Sequence, residues 1–177
     1  MAVFATIRNL FSPTVFSEPE TIVPAPVCEY TIKPLTLENL AEVLRLNLRC
    51  FRNGDNYTKY TFDYLLNEPR TLSYQMVTPD DEIVGFAFVM VKEHNSAHLT
   101  TIGVAPEHRR RGIAVSLLEH IEKALKHRSI GTVMLEVRVG NAGAQQLYRK
   151  LGYAVVQRIG KYYSNGEDCF LMLKSLY

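Results

Sequence analysis

The run from Leu99 to Leu125 constrains this chain more than any other part of it. An apolar stretch, Leu99 to Val104, leads into Ala105-Pro106-Glu107-His108-Arg109-Arg110-Arg111-Gly112-Ile113-Ala114. Beyond that turn Ala114, Leu117, Leu118, Ile121 and Leu125 recur at the spacing of one buried helical face. Strand, basic turn and helix in immediate succession predict an α/β domain with an anion trap at the junction. The N–H groups of a first helical turn have no internal acceptor, and the helix dipole favours negative charge beside them. Gly112 leaves the backbone open to an anion, and Ala114 is nearly as small. Arg109, Arg110 and Arg111 oppose the dipole, which argues that they serve an anion rather than the fold. The turn contains neither G-x-x-x-x-G-K-[ST] nor G-x-G-x-x-G, so it is not a mononucleotide or dinucleotide loop.

Around this junction the periodicity predicts a single domain. Tyr30–Pro34 is a short strand, Thr36 caps a helix with Leu40, Val43, Leu44 and Leu48 inward, and a second helix covers Lys59–Asn67. Thr71–Thr78 and Glu82–Val91 form an antiparallel pair, His98–Val104 is the next strand, and Gly112–His127 is the helix of the junction. Gly131–Val139 alternates strictly, with Val133, Leu135 and Val137 on one face and Met134, Glu136 and Arg138 on the other. Asn141 caps a helix that ends at Leu151, and strands at Ala154–Tyr163 and Asp168–Lys174 flank the turn Ser164–Glu167. The expected architecture is an α/β domain with a single mixed, mostly antiparallel sheet flanked by helices. It occupies residues 30–177, and the proline-broken residues 1–29 are expected as a loosely attached arm.

Composition narrows the function. A net charge of +2 is too small to make nucleic acid the main partner. Three scattered cysteines without C-x-x-C and five histidines without H-x-x-x-H predict no disulfide framework and no metal site. No apolar run reaches the roughly 20 residues that span a bilayer, and the start lacks the pattern of a secretory signal, so no membrane is expected. A reducing cytoplasm fits best.

The run Leu135-Glu136-Val137-Arg138-Val139-Gly140-Asn141, continuing through Ala144, Leu147-Tyr148 and Lys150-Leu151-Gly152-Tyr153, adds a second motif. Lys161-Tyr162-Tyr163-Ser164-Asn165-Gly166-Glu167-Asp168 adds a third. With Val-x-Pro followed by R-x-x-G-x-A at the junction, these resemble the GNAT acetyltransferase superfamily. Within it they are similar to the enzymes that acetylate protein N-termini, the ribosomal-protein-alanine N-acetyltransferases and the archaeal and eukaryotic N-terminal acetyltransferase catalytic subunits.

The resemblance implies the GNAT fold, acetyl-CoA as cosubstrate and a protein or peptide N-terminus as acceptor, ribosomal proteins or the ribosome included. It implies a pyrophosphate cradle at Arg109, Arg110, Arg111, Gly112, Ile113 and Ala114, and backbone groups at Ile102 and Val104 for the pantetheine arm. Asn141 is expected on the cofactor, Glu136 as general base, and Tyr148 beside the CoA sulfur as general acid. Asp55, Tyr57, Tyr162 and Tyr163 are expected at the peptide. The chemistry suits these groups, because an α-amine with a pKa of roughly 7.7–8.0 needs only a modest base. Burial among apolar residues would raise the carboxyl of Glu136 towards that role. An ion pair with a cation on the neighbouring strand explains the same glutamate, and Asp55 is a rival base. Gly140 stands where the family often has serine, so a hydroxyl contact is lost. Two other functions stay open: acetylation of a different amine such as a polyamine, antibiotic, free amino acid or lysine, and non-catalytic binding of acyl-CoA.

Overall fold

The computed structural model describes residues 22–51 and 56–177. Their order is β1 (Thr31–Pro34), α1 (Leu40–Cys50), α2 (Lys59–Asn67), β2 (Thr71–Val77), β3 (Ile83–Lys92), β4 (Ser96–Val104), α3 (Ile113–His127), β5 (Thr132–Arg138), α4 (Ala142–Lys150), β6 (Ala154–Ile159) and β7 (Cys169–Ser175). The strands form one sheet in the order β1-β2-β3-β4-β5-β7-β6. Only the β4–β5 pair is parallel, and α3 makes the crossover that a parallel pair requires. The mixed, mostly antiparallel sheet expected from the sequence is what the chain forms.

Helices cover both faces of the sheet, and two glycines show how. A Cβ at Gly85 would lie 2.9 Å from Ile113 Cγ2 and 3.3 Å from Leu117, so this face of β3 receives α3. A Cβ at Gly103 would lie 2.7 Å from the Phe86 ring and 3.1 Å from Cys50 Sγ, so the opposite face receives the end of α1. Sandwiched between the helices, β3 is buried from Ile83 through Met90, the continuous apolar run of a central strand. Phe62 of α2 packs on Phe86 and Phe88 with ring centroids 5.9 and 5.2 Å away.

Two expectations differ from the structure. Leu48 is 58% exposed, while Leu46 and Asn47 face the core with Val43. A single 3-10 turn over Leu37–Asn39 precedes α1, and Asn47 tolerates burial because its Nδ2 donates to the Tyr57 carbonyl at 3.1 Å. The last hairpin is also looser than its residues suggest, since β6 stops at Ile159. Lys161, with φ +51°, turns there and its amide donates to Asp168 Oδ1 at 2.9 Å, so Tyr162 and Tyr163 sit in a loop rather than on a strand. Of the arm expected over residues 1–29, residues 1–21 lie outside the described residues; within 22–29, most of them exposed, the Ala25 amide donates to the Glu107 carbonyl at 3.1 Å.

Candidate active site

The junction after β4 has the form of an anion site. Ala105 leads into a 3-10 turn over Pro106–His108, then Arg110 and Gly112 take left-handed conformations with φ +64° and +79°. The first bond of the α3 ladder runs from the Ser116 amide to the Gly112 carbonyl at 2.9 Å. The amides of Gly112, Ile113, Ala114 and Val115 therefore have no acceptor among the described residues, and they share the positive end of a 15-residue helix. A Cβ on Gly112 would meet nothing within 4 Å, so open space stands in front of these donors. Ile113 offers only its amide, since its side chain is 3% exposed and faces Gly85.

Two of the three arginines have structural work that the dipole argument did not anticipate. Arg109 Nε donates to the Val104 carbonyl at 3.2 Å and its Nη2 to the Cys50 carbonyl at 3.4 Å. Arg111 Nη1 donates to the Pro26 carbonyl at 2.8 Å and to the Tyr30 hydroxyl at 2.9 Å, and its Nη2 donates to the Ala25 carbonyl. Both guanidiniums are held on carbonyl dipoles, which offsets the repulsion at the N-terminus. Arg110 is exposed and makes no side-chain hydrogen bond or ion pair among the described residues.

Beside this junction the sheet divides. β4 and β5 pair only from Ser96–His98 to Thr132–Met134, and no cross-strand partner follows. The Ala105 amide donates to the Val84 carbonyl, which sets the phase of β4 against β3. Thr101, Gly103 and Ala105 thus turn their backbone groups to β3, and Ile102 and Val104 turn theirs to the gap. The Val104 carbonyl is taken by Arg109, leaving its amide and both groups of Ile102 for a ligand. A register shift opposite Phe88 and Val89 releases Thr100 from the ladder, and its carbonyl accepts from the Tyr57 hydroxyl at 3.0 Å.

At the base of the gap Glu136 meets His98. Oε2 of the glutamate lies 2.6 Å from Nε2 of the histidine, with the two side chains 8% and 11% exposed. The neighbouring-strand partner of Glu136 is this titratable histidine, a residue the sequence did not single out. The parallel pairing of β4 and β5, set by a crossover through α3, is what brings them together.

On the far side of the gap Asn141 caps α4, accepting from the Ala144 amide at 3.0 Å. Tyr148 is buried on the inward face of that helix, its ring edge-on to Tyr153 at 5.8 Å. Burial pushes the phenol pKa up, and its hydroxyl has no hydrogen-bond partner among the described residues. It therefore stays protonated and available as a donor.

The third motif borders the same strand. Tyr162 and Tyr163 pack edge to face at 5.1 Å, and the Arg138 guanidinium lies 3.7 Å from the centre of the Tyr163 ring. Arg138 Nη1 also donates to Asn165 Oδ1 at 3.2 Å and to the Glu167 carboxylate. The other oxygen of Glu167 accepts from the Gly140 amide at 2.8 Å. A Cβ on Gly140 would stand 2.7 Å from that oxygen, so the missing side chain leaves room for the carboxylate. Arg138 was legible only as a polar position alternating with Val137. Asp55 lies outside the described residues.

Comparison with known proteins shows the family of the chain. The Acetyltransferase (GNAT) family matches residues 40–153. The chain is similar to a protein of Saccharolobus solfataricus named N-alpha-acetyltransferase, 31% identical over 160 residues that cover 84% of this chain and 94% of the relative. It is similar to the N-terminal acetyltransferase A complex catalytic subunit NAA10 of Arabidopsis thaliana, 31% identical over 151 residues, 82% of this chain and 77% of the relative. Among solved structures, the ribosomal-protein-S18-alanine N-acetyltransferase from Escherichia coli superposes with a TM-score of 0.76 at 30% identity, covering 84% of this chain and 94% of that one.

Proposed function

The chain belongs to the acetyltransferase (GNAT) family, and from that premise we propose that it acetylates the α-amine of a protein or peptide N-terminus. It is an acyltransferase with acetyl-CoA as cosubstrate. The residues present fit that molecule: free amides and open space at Gly112 suit a pyrophosphate, and the Val104 amide with both backbone groups of Ile102 suits the amides of a pantetheine arm.

The observation that carries the proposal is the buried Glu136–His98 pair at the base of the gap. Glu136, directly or through one water, takes a proton from the ammonium of the peptide terminus. His98 holds the carboxylate in place through Nε2 and shares the acquired charge. The neutral nitrogen then attacks the thioester carbonyl. A C–N bond forms as the C–S bond breaks, and the electron pair leaves on sulfur. Tyr148 donates a hydrogen bond to that sulfur as charge develops. A phenol with a raised pKa is a weaker acid than a thiol, so its benefit lies in stabilising the charge; the second proton of the attacking nitrogen, shed as the amide forms, ends on the departing thiolate. The Tyr162–Tyr163 pair supplies a wall for the first residues of the acceptor.

Likeness to the Escherichia coli enzyme makes ribosomal proteins candidate acceptors. A reducing cytoplasm suits Cys28, Cys50 and Cys169, all free thiols. Among the described residues no helix is long and apolar enough to cross a membrane. The test is a short peptide with a free N-terminus and an internal lysine, incubated with enzyme and acetyl-CoA and sequenced by tandem mass spectrometry. The acetyl group is expected on the α-amine. Its appearance on lysine with a free terminus, or acetylation of spermidine alone, would favour another amine, and cofactor binding without turnover would favour a binding module.

A further inference from the structure

Arg138 and Glu167 tie together two parts of the site that also meet where the Val139 amide donates to the Asp168 carbonyl at 3.1 Å. Arg138 belongs to β5, two residues beyond Glu136, and its side chain is 13% exposed. One face of its guanidinium covers the Tyr163 ring, while its edge holds Asn165 and Glu167 of the loop between β6 and β7. Glu167 is forked: Oε2 takes Arg138 and Oε1 takes the amide of Gly140. Gly140 precedes Asn141, the cap of the helix that carries Tyr148. The loop closes on itself through the Tyr163 amide to the Glu167 carbonyl at 3.1 Å and the Gly166 amide to the Tyr163 carbonyl at 2.9 Å. It is therefore a small body in which Glu167 reaches both β5 and the Gly140 turn, beside the Asn165 contact to Arg138. The Gly140 amide and the Arg138 charge hold that carboxyl below the usual range, so the clamp is ionised at neutral pH.

We infer that Arg138 and Glu167 are positioning residues that couple the acceptor-side Tyr162–Tyr163 loop to the cofactor-side turn at Gly140–Asn141. The inference rests on the reading of this site as a peptide N-terminal acetyltransferase. A displacement of the Gly140 turn moves the Glu167 carboxylate. Glu167 then loosens its hold on Arg138, whose guanidinium shifts against the Tyr163 ring. Acceptor affinity thus depends on a residue that faces the cofactor side.

Gly140→Ala tests this, because its Cβ would sit 2.7 Å from Glu167 Oε1 and must push the carboxylate away. It is expected to raise the peptide KM by about tenfold, within the range for coupled neighbours, with a smaller change in the acetyl-CoA KM. In a Glu167→Ala background no carboxylate remains to be displaced, so adding Gly140→Ala should change the peptide KM by less than about twofold. Arg138→Ala is expected to raise the peptide KM as well, and Arg138→Lys, which keeps the charge but loses the planar fork, to recover it only in part. Equal and additive effects in the two backgrounds, or a rise confined to the acetyl-CoA KM, would overturn the coupling.

A second readout does not need the acceptor. Hydrogen exchange followed by mass spectrometry should show faster exchange over residues 161–168 in folded Gly140→Ala than in the wild type. Unchanged exchange there refutes the coupling even if the acceptor proves to be another amine. Wild-type failure on peptides, with faster loop exchange in the variant, instead counts against the peptide reading and leaves the coupling standing.

Discussion

Replacing Gly112 by aspartate, with alanine as the control, separates the backbone from the charge at the anion site. At φ +79° any side chain strains the backbone by about 1–2 kcal/mol. In a chain of this length that lowers Tm by about 2–8 °C. No steric cost is added, since a Cβ there would meet nothing within 4 Å. Alanine should therefore reduce stability and leave most of the CoA affinity. Aspartate adds a carboxylate in front of the amides of Ile113, Ala114 and Val115, where the pyrophosphate is proposed to lie. One pair of like charges about 5 Å apart at an effective dielectric of about 20 costs about 3 kcal/mol, or more than a hundredfold in affinity. The chain contains no tryptophan, so titration calorimetry with CoA is the suitable assay. The aspartate-to-alanine ratio isolates the electrostatic part, and it should shrink as ionic strength rises. A folded aspartate variant that binds CoA as tightly as the alanine variant would show that the cradle is elsewhere.

Glu136→Gln is expected to cut turnover by about 10²–10⁴-fold with little change in acetyl-CoA affinity, and Tyr148→Phe to do the same with little change in Tm; full turnover in either variant removes that residue from the mechanism. Lowering pH should cancel the stabilisation from Glu167. Its folded pKa is depressed, so the contribution is present above the ordinary carboxylate range and is lost as pH falls through the folded value. Melting curves of wild type and Glu167→Gln should therefore differ at pH 7 and converge in acid; a constant gap contradicts the assignment. Burial pushes the Cys50 and Cys169 thiols up to about 11. At pH 8 only about one molecule in a thousand then carries either thiolate, and iodoacetamide should label both far more slowly in the folded chain than in denaturant. Equal rates would refute their burial.

Local order was legible where each residue decides its own fate. α2 begins where Thr58 accepts from the Thr61 amide, a cap written in adjacent residues, and the faces of β5 follow from strict alternation. Asn47 misled because its polarity says outward while a loop carbonyl ten residues later takes its Nδ2 within the core. His98 was missed because its partner depends on two strands paired across a helix, which no local pattern encodes. The proline-rich segment near residue 25 promised little order, since prolines donate nothing. Its carbonyls nonetheless accept from Arg111, and that bond is invisible until the chain folds back.

Gly85 lies on a strand with no part in the chemistry, yet it fixes how deeply the first turn of α3 can settle on the sheet. An alanine there would press on Ile113 Cγ2 at 2.9 Å, and the easiest relief is to lift the very turn whose amides face the anion. Inheritance of such a change would mislead a geneticist. By position it is a core lesion, but its earliest symptom would be a poorer grip on the acyl donor, with the protein still abundant and folded. The specification of the donor site therefore extends to a strand that never meets the donor.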